Sequence, residues 1–161
     1  MMTRIAACLW YDGNAEEAAN LYASIFPDSS VDAVHHSPTD YPDGREGDVL
    51  TVEFTVCGMP FLGLNGGAVF PQTEAVSFMI YTDDQEETDR LWHAIVGNGG
   101  AESACGWCKD RWGVSWQITP RALMAATTNP DKAAAKRAME AMMTMRKIDI
   151  AGIERALAGE G

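Results

Sequence analysis

The stretch YDGNAEEAANLYASIF, residues 11–26, returns 70 positions later as YTDDQEETDRLWHAIV, residues 81–96, and the two align without a gap. Tyr11 meets Tyr81, Glu16 and Glu17 meet Glu86 and Glu87, Leu21 and Tyr22 meet Leu91 and Trp92, and Ile25 and Phe26 meet Ile95 and Val96. A unit that cannot bury its apolar face alone pairs with its copy. The expected organisation is therefore a duplicated unit with a cleft between its halves.

Each copy is written as strand, helix, then strands. Residues 5–11 form a short apolar run ahead of Asp12-Gly13-Asn14, and Asn14 with Glu17 three positions on has the spacing of a capping box. Ala15, Ala18, Ala19, Tyr22, Ile25 and Phe26 make one apolar face, and Pro27 stops the helix. In the second copy 76–82 is the strand, Asp84 the cap with Glu87, and 97–100 the stop. Strands are predicted over 30–36, 48–56 and 59–65 after the first helix, and over 103–107 and 114–119 after the second. Cys57-Gly58 and Arg111-Trp112-Gly113 read as hairpin turns. Residues 36–48, rich in Pro, Asp and Gly, read as a mobile surface loop able to serve as a lid. Beyond 119 the pattern is helical, with Asn129 capping a helix at Pro130 and a last helix starting at Asp149. Met139, Met142, Met143 and Met145 suit either a core or a contact surface.

At 161 residues and 47% hydrophobic content the chain suits one domain over 1–161, since roughly 100–200 residues per domain is usual. Repeat one spans 4–66, repeat two 74–119, and C-terminal helices 120–159. The net charge of -11 makes nucleic acid and anionic membranes poor partners, because neither offers it counterion release. A cationic, planar or neutral small molecule is the expected ligand. No apolar run reaches the ~20 residues of a membrane span, and Asp12 interrupts the opening segment, so it is not read as a signal peptide. The expected address is cytoplasmic, and the four cysteines are read as reduced thiols.

Strand alternation supplies a candidate site. In 49–56, Leu50, Val52, Phe54 and Val56 share the face under the helices, leaving Thr51, Glu53 and Thr55 on the other. The same reasoning places Asn65, Ser77, Met79, Tyr81, Ser115, Gln117 and Thr119 on the concave side. Glu53 is the only carboxylate in the set and so the candidate general base or cation anchor. Trp107, Trp112 and Trp116 offer stacking surface or core. Cys105 and Cys108 have C-x-x-C spacing, but they precede a hairpin instead of opening a helix, where a thiolate would be stabilised.

The repeat, together with LWYDGNAEEA at 9–18 and the segment 149–157, resembles the vicinal oxygen chelate superfamily of glyoxalase I, extradiol dioxygenases and bleomycin-resistance proteins, and within it the PhnB-like branch. The resemblance covers 5–119. It implies an α+β fold of two βαβββ repeats forming a glyoxalase-like pair of half-barrels, with a C-terminal helical extension, and a homodimer. It also implies metal ligands, His and Glu, on the first and last strands of each unit. Here those positions hold Ile5 or Ala6, Leu64 or Asn65, Ser77 and Gln117, so no metal is expected, since a hard cation needs charged or imidazole donors. Branch members carry the name demethylubiquinone methyltransferase, which implies S-adenosylmethionine. No strand here leads through a G-x-G turn into a helix, and the glycines of 97–100 follow one, so no cofactor is expected. The resulting expectation is a metal-independent binder of a small organic molecule. Its alternatives are a sequestering protein without turnover and a lyase or dioxygenase with atypical ligands.

Overall fold

The computed structural model describes residues 3–160 and divides into two compact units, one ending at Gln72 and the next starting at Thr73. The first holds β1 (Ala7–Tyr11), α1 (Ala15–Ile25), β2 (Ser30–His36), β3 (Val49–Val56) and β4 (Met59–Asn65). Its sheet runs β1-β4-β3-β2, with β1 parallel to β4 and the other pairs antiparallel. The second holds β5 (Ser77–Thr82), α2 (Gln85–Val96), β6 (Ala101–Glu102), β7 (Trp107–Lys109) and β8 (Ser115–Pro120), ordered β5-β8-β7-β6 with the same directions. Two βαβββ modules of identical topology are thus present. Three helices follow on the second unit: α3 (Arg121–Thr127), α4 (Lys132–Met142) and α5 (Ile150–Leu157).

Each sheet is covered on one face by its helix. Ala15, Ala18, Ala19 and Tyr22 of α1 are buried with Val52, Phe54 and Phe61, and Phe54 stacks on Phe61 with ring centroids 5.2 Å apart. Gly63 permits the close approach, since a Cβ there would lie 2.9 Å from the Ala15 methyl. In the second unit Leu91, Trp92 and Ile95 of α2 are buried together with Ile80, Trp116 and Ile118. A separate small core of Leu123, Ala126, Ala138, Ile148 and Ile153 holds the three terminal helices together, with Met142 and Met145 packed against it. Met139 and Met143 are exposed.

Several sequence expectations need correction. The ungapped repeat pairs Tyr11 with Tyr81, yet Tyr11 is buried under α1 while Tyr81 is exposed. The register gives the reason: Tyr11 lies opposite Asn65 at the end of its strand pair and Thr82 lies opposite Pro120. Strand residues therefore correspond at an offset of 71, while the helices begin 70 apart at Ala15 and Gln85. One residue lost from the strand-to-helix turn flips every side chain of the aligned strand.

Asn14 occupies the N-cap position of α1 but its side chain caps nothing. Asn65 replaces it: its Oδ1 accepts the Ala15 N–H at 2.9 Å and its Nδ2 donates to the Val49 carbonyl at 2.9 Å. Asn65 is therefore buried on the helix side, and its place on the concave face was a parity error. Asp84 does cap α2, accepting the Glu87 N–H at 2.8 Å. The strand predicted over 103–107 lies later, at Trp107–Lys109, because Cys105 and Gly106 turn the chain with φ of 60° and 83°. The cap of α4 is Asp131, not Asn129, which accepts the Asp131 N–H. The 36–48 loop is tied, not open: Ser37 and Asp48 extend the β2–β3 ladder, Tyr41 and Gly44 bond reciprocally, and Asp40 and Asp48 side chains accept further N–H groups.

Candidate functional site

Strand pairing fixes which side chains share the face that no helix of the same unit covers. On the first sheet, Cys8 pairs with Leu62 and Leu62 with Glu53, while Trp10 pairs with Leu64, Leu64 with Thr51 and Thr51 with His35. His35 and Glu53 meet diagonally, with Nε2 and Oε2 2.6 Å apart. Both are a little over half exposed, 57% and 54%, so a ligand can reach them. Asp32 reaches the same face from a bulge between Val31 and Ala33, where its carboxylate accepts the Thr55 and Ser30 hydroxyls, each at 2.7 Å. A cavity of about 590 Å³ lies here, and Thr3, Ala6, Asp32, Glu53, Thr55 and Leu62 contribute to its wall. Among the described residues no lysine or arginine lines it. Beside it, the Trp10 indole donates to the Gly67 carbonyl at 2.7 Å and receives Phe70 edge-on at 4.9 Å. Burial pushes the Cys8 thiol above its ordinary value.

The second sheet shows a different chemistry. Ser77, Ser115 and Lys109 form one row, Met79, Gln117 and Trp107 the next, and Tyr81 with Thr119 a third. Gln117 Nε2 donates to Ser77 Oγ at 2.9 Å. Lys109 pairs with Glu74, and that ammonium, first as hydrogen-bond donor, holds the Glu74 carboxyl below its ordinary value. Arg121 lies over the Tyr81 ring at 5.5 Å and its Nε donates to Asp83 at 3.1 Å. Ser115 Oγ is buried and has no hydrogen-bond partner. The sequence reading thus grouped Ser77, Met79, Tyr81, Ser115, Gln117 and Thr119 on the same face as each other, and Thr51 with Glu53 on theirs; only Asn65 falls on the wrong side.

His35 and Asp32 escaped the sequence reading because bulges interrupt the period of two in β2. A usable signal existed: adjacent histidines on a strand present one imidazole to each face. Trp116 is core, its indole donating to buried Asp110 at 3.0 Å, and Trp112 lies under the Arg111 guanidinium, so only Trp107 faces the open side. Cys108 is buried, and desolvation, then the charges of Asp110 and Glu102, pushes its thiol up to about 12. A thiol so held supplies no thiolate near neutral pH.

The metal and cofactor implied by the resemblance do not fit these residues. By register, the counterpart of Gln117 in the first unit is Leu62, and that of Ser77 is Ala6. The donor set is then one hydroxyl and one amide bonded to each other, plus two apolar side chains. Among the described residues no three His, Cys, Asp or Glu side chains gather in a way that could hold a metal. The glycines after α2 serve the chain turn: a Cβ on Gly100 would lie 2.3 Å from the Lys109 carbonyl oxygen and 2.5 Å from that of Ile95. They cradle main chain and leave no room there for a nucleoside.

Comparison with known proteins agrees with this architecture. The family model described as 3-demethylubiquinone-9 3-methyltransferase matches residues 3–119. The structure of the PhnB protein from Bacillus cereus is 31% identical, with a TM-score of 0.65, and the match covers 73% of this chain and 99% of that one. A Pseudomonas aeruginosa protein is similar in fold at 19% identity and TM-score 0.55, covering 74% and 98%. So is a fosfomycin resistance protein from Listeria monocytogenes at 12% identity and TM-score 0.50, covering 74% and 93%. No curated protein matches the chain. Helices α3, α4 and α5 lie beyond the matched residues. With its two βαβββ modules of glyoxalase-like fold, the chain belongs to the PhnB-like family described as 3-demethylubiquinone-9 3-methyltransferase.

Proposed function

We propose that this protein binds a small organic cation on the open face of its first sheet, with Glu53 as anchor or general base and His35 as its proton partner. The observation that carries the reading is a cavity of about 590 Å³ walled by Glu53 and Asp32 and, among the described residues, by no lysine or arginine. A cation there is attracted by two carboxylates, and the 2.6 Å contact gives Glu53 a group with which to exchange a proton. Thr51 and the Trp10–Phe70 ring pair supply polar and planar contact beside it. No step through a metal or S-adenosylmethionine enters this reading, since neither fits the side chains present.

Benzylamine titrated into the protein should bind, and Glu53→Gln should weaken it tenfold or more, about 1.4 kcal/mol. Equal affinity in the variant would overturn the assignment. Plain sequestration is the second reading. It is favoured by the exposure of the His35–Glu53 pair, which is not shielded from water as acid–base pairs at work usually are. Recovery of the bound amine unchanged after prolonged incubation selects sequestration; its consumption selects an enzyme. A homodimer is part of the proposal, supported by exposed Val69, Phe70 and Val76, and sedimentation equilibrium tests it. No helix among the described residues is long and apolar enough to cross a membrane.

A further inference from the structure

We infer that the row Ser77–Ser115–Lys109 of the second sheet is a carboxylate-binding subsite whose lysine is engaged by Glu74 of the same chain in this structure. The inference extends the small-molecule reading above to a second ligand group and rests on it. Three observations support it.

Pairing places the three side chains side by side on the open face, Ser77 opposite Ser115 and Ser115 opposite Lys109, at Cβ separations of about 5 Å. Three donors then share one row: the Lys109 ammonium and two hydroxyls. Gln117 donates to Ser77 Oγ, which leaves the Ser77 proton for another acceptor. Ser115 is 1% exposed and its hydroxyl has no partner at all. A buried hydroxyl without a partner destabilises the fold, and a ligand oxygen would relieve that cost.

Glu74 stands three residues ahead of β5 and bonds Lys109 on β7, so the ion pair spans β8 at its Ser115 end. A carboxylate is therefore already the partner of this row's lysine.

The first unit shows the same corner without such an occupant. The strand offset of 71 makes Thr3 and Ala6 the counterparts of Glu74 and Ser77, and the strand pairing makes Thr55 and Pro60 those of Lys109 and Ser115. Thr55 matches Lys109 through its pairing with Pro60. All four line the cavity of about 590 Å³. The fold thus makes a cavity at this corner of the first unit, and at the same corner of the second stands the Glu74–Lys109 pair. A ligand carboxylate would displace Glu74, take its place on Lys109 and accept from Ser115 and Ser77.

The test uses the full chain, benzoate as probe, and backbone amide shifts of Ser77, Lys109 and Ser115 as readout. Glu74→Gln, which frees Lys109, should bind benzoate at least tenfold more tightly than the unaltered protein. Adding Ser115→Ala or Lys109→Gln to it should reverse most of that gain. Benzamide should not bind there, and inorganic phosphate should bind no more tightly than benzoate. The inference is overturned if Glu74→Gln leaves benzoate affinity unchanged, if the second substitutions have no effect, or if phosphate alone binds. Benzylamine binding at Glu53 in the same samples separates the two readings: amine bound with benzoate rejected sinks only the subsite, and both rejected sinks the small-molecule reading as well.

Discussion

Between β3 and β4 the chain turns on Cys57 and Gly58, both in left-handed backbone with φ of 49° and 80°, whereas between β7 and β8 it turns around a buried side chain. Asp110 collects the Trp112 and Val114 N–H groups and the Trp116 indole, each at 3.0 Å. The two hairpins occupy the same place in the same topology. One is held by local conformational preference and by two neutral bonds, from the Cys57 N–H to Ser29 Oγ and from the Gly58 N–H to the Asp28 carbonyl, the other by a carboxylate taken out of water and repaid in charge-assisted bonds. The open faces diverge likewise, Glu53, Asp32 and His35 on the first sheet against Lys109, Arg121, Gln117 and two serines on the second. Topology survived duplication because the core requires it, although the two helices are capped by different residues. The side chains that face away from the helices were free to take opposite polarity.

The largest expected effect breaks that hairpin comparison. Asp110→Ala leaves three donors without an acceptor, and at roughly 1.5–3 kcal/mol for each bond to a charged group, less relaxation, the loss is about 4–5 kcal/mol. Gly58→Ala in the first unit should cost only about 1–2 kcal/mol, the price of a side chain in left-handed backbone. Urea unfolding of both variants checks it; similar losses would mean the turns are held alike.

Next in size is an alkaline effect confined to the second unit. Cys108 has its thiol raised from 9.0 to about 12 by burial, so between those values the folded state keeps a proton that the unfolded state has released. Its contribution is intact below pH 9 and lost as pH rises through the folded value, up to about 4 kcal/mol by pH 12. The stability difference between the unaltered protein and Cys108→Val should shrink over that interval.

The caps sharpen the comparison at lower cost. Asn65→Ala strips partners from the Ala15 N–H and the Val49 carbonyl inside the first unit and should cost about 2–4 kcal/mol. Asp84→Ala removes one exposed cap bond in the second and should cost about 1 kcal/mol. Equal losses would show that the two helices start by equivalent means.

Much of this was legible in the chain. Residues 30–36 and 59–65 were assigned as strands at their observed bounds, and both repeat helices start where Asn14 and Asp84 precede them, because apolar period and stop signals are local. What failed depended on partners far along the chain. Asn14 carries the spacing of a cap, but nothing local reveals that Asn65 reaches Ala15 first. The Tyr11–Tyr81 match is real as sequence and false as geometry, since helix signals set the alignment and a one-residue difference in the turn reverses strand parity. His35 was hidden by bulges that only the pairing exposes.

The smallest expected effect concerns the added helices, and it uses a second pair of like devices. Gln85 does for α5 what Asn65 does for α1: its Oε1 accepts the Ile150 N–H at 2.8 Å and its Nε2 donates to the Ile148 carbonyl at 2.9 Å. Gln85 differs in also donating to Asp89, which Lys147 bridges at 2.8 Å. That Lys147 bond first, and the Gln85 bond second, holds the Asp89 carboxyl below its ordinary value of 3.8. A carboxyl depressed by folding stabilises above its unfolded value and ceases to do so as pH falls through the folded one. Below about pH 4, then, the Gln85 clamp loses a charged neighbour, while the Asn65 clamp, bonded only to main chain, loses none. The exposed setting of the ion pair limits the change to a few tenths of a kcal/mol. Amide hydrogen exchange followed from pH 5 to pH 3 and corrected for intrinsic rates should show protection at Ile150 falling, with that of Ala15 unchanged. The main-chain bonds from Cys105 to Met145 and from Gly106 to Arg146 should keep the helices docked throughout. Equal loss at Ile150 and Ala15 would mean that acid loosens the whole chain and that the two clamps do not differ.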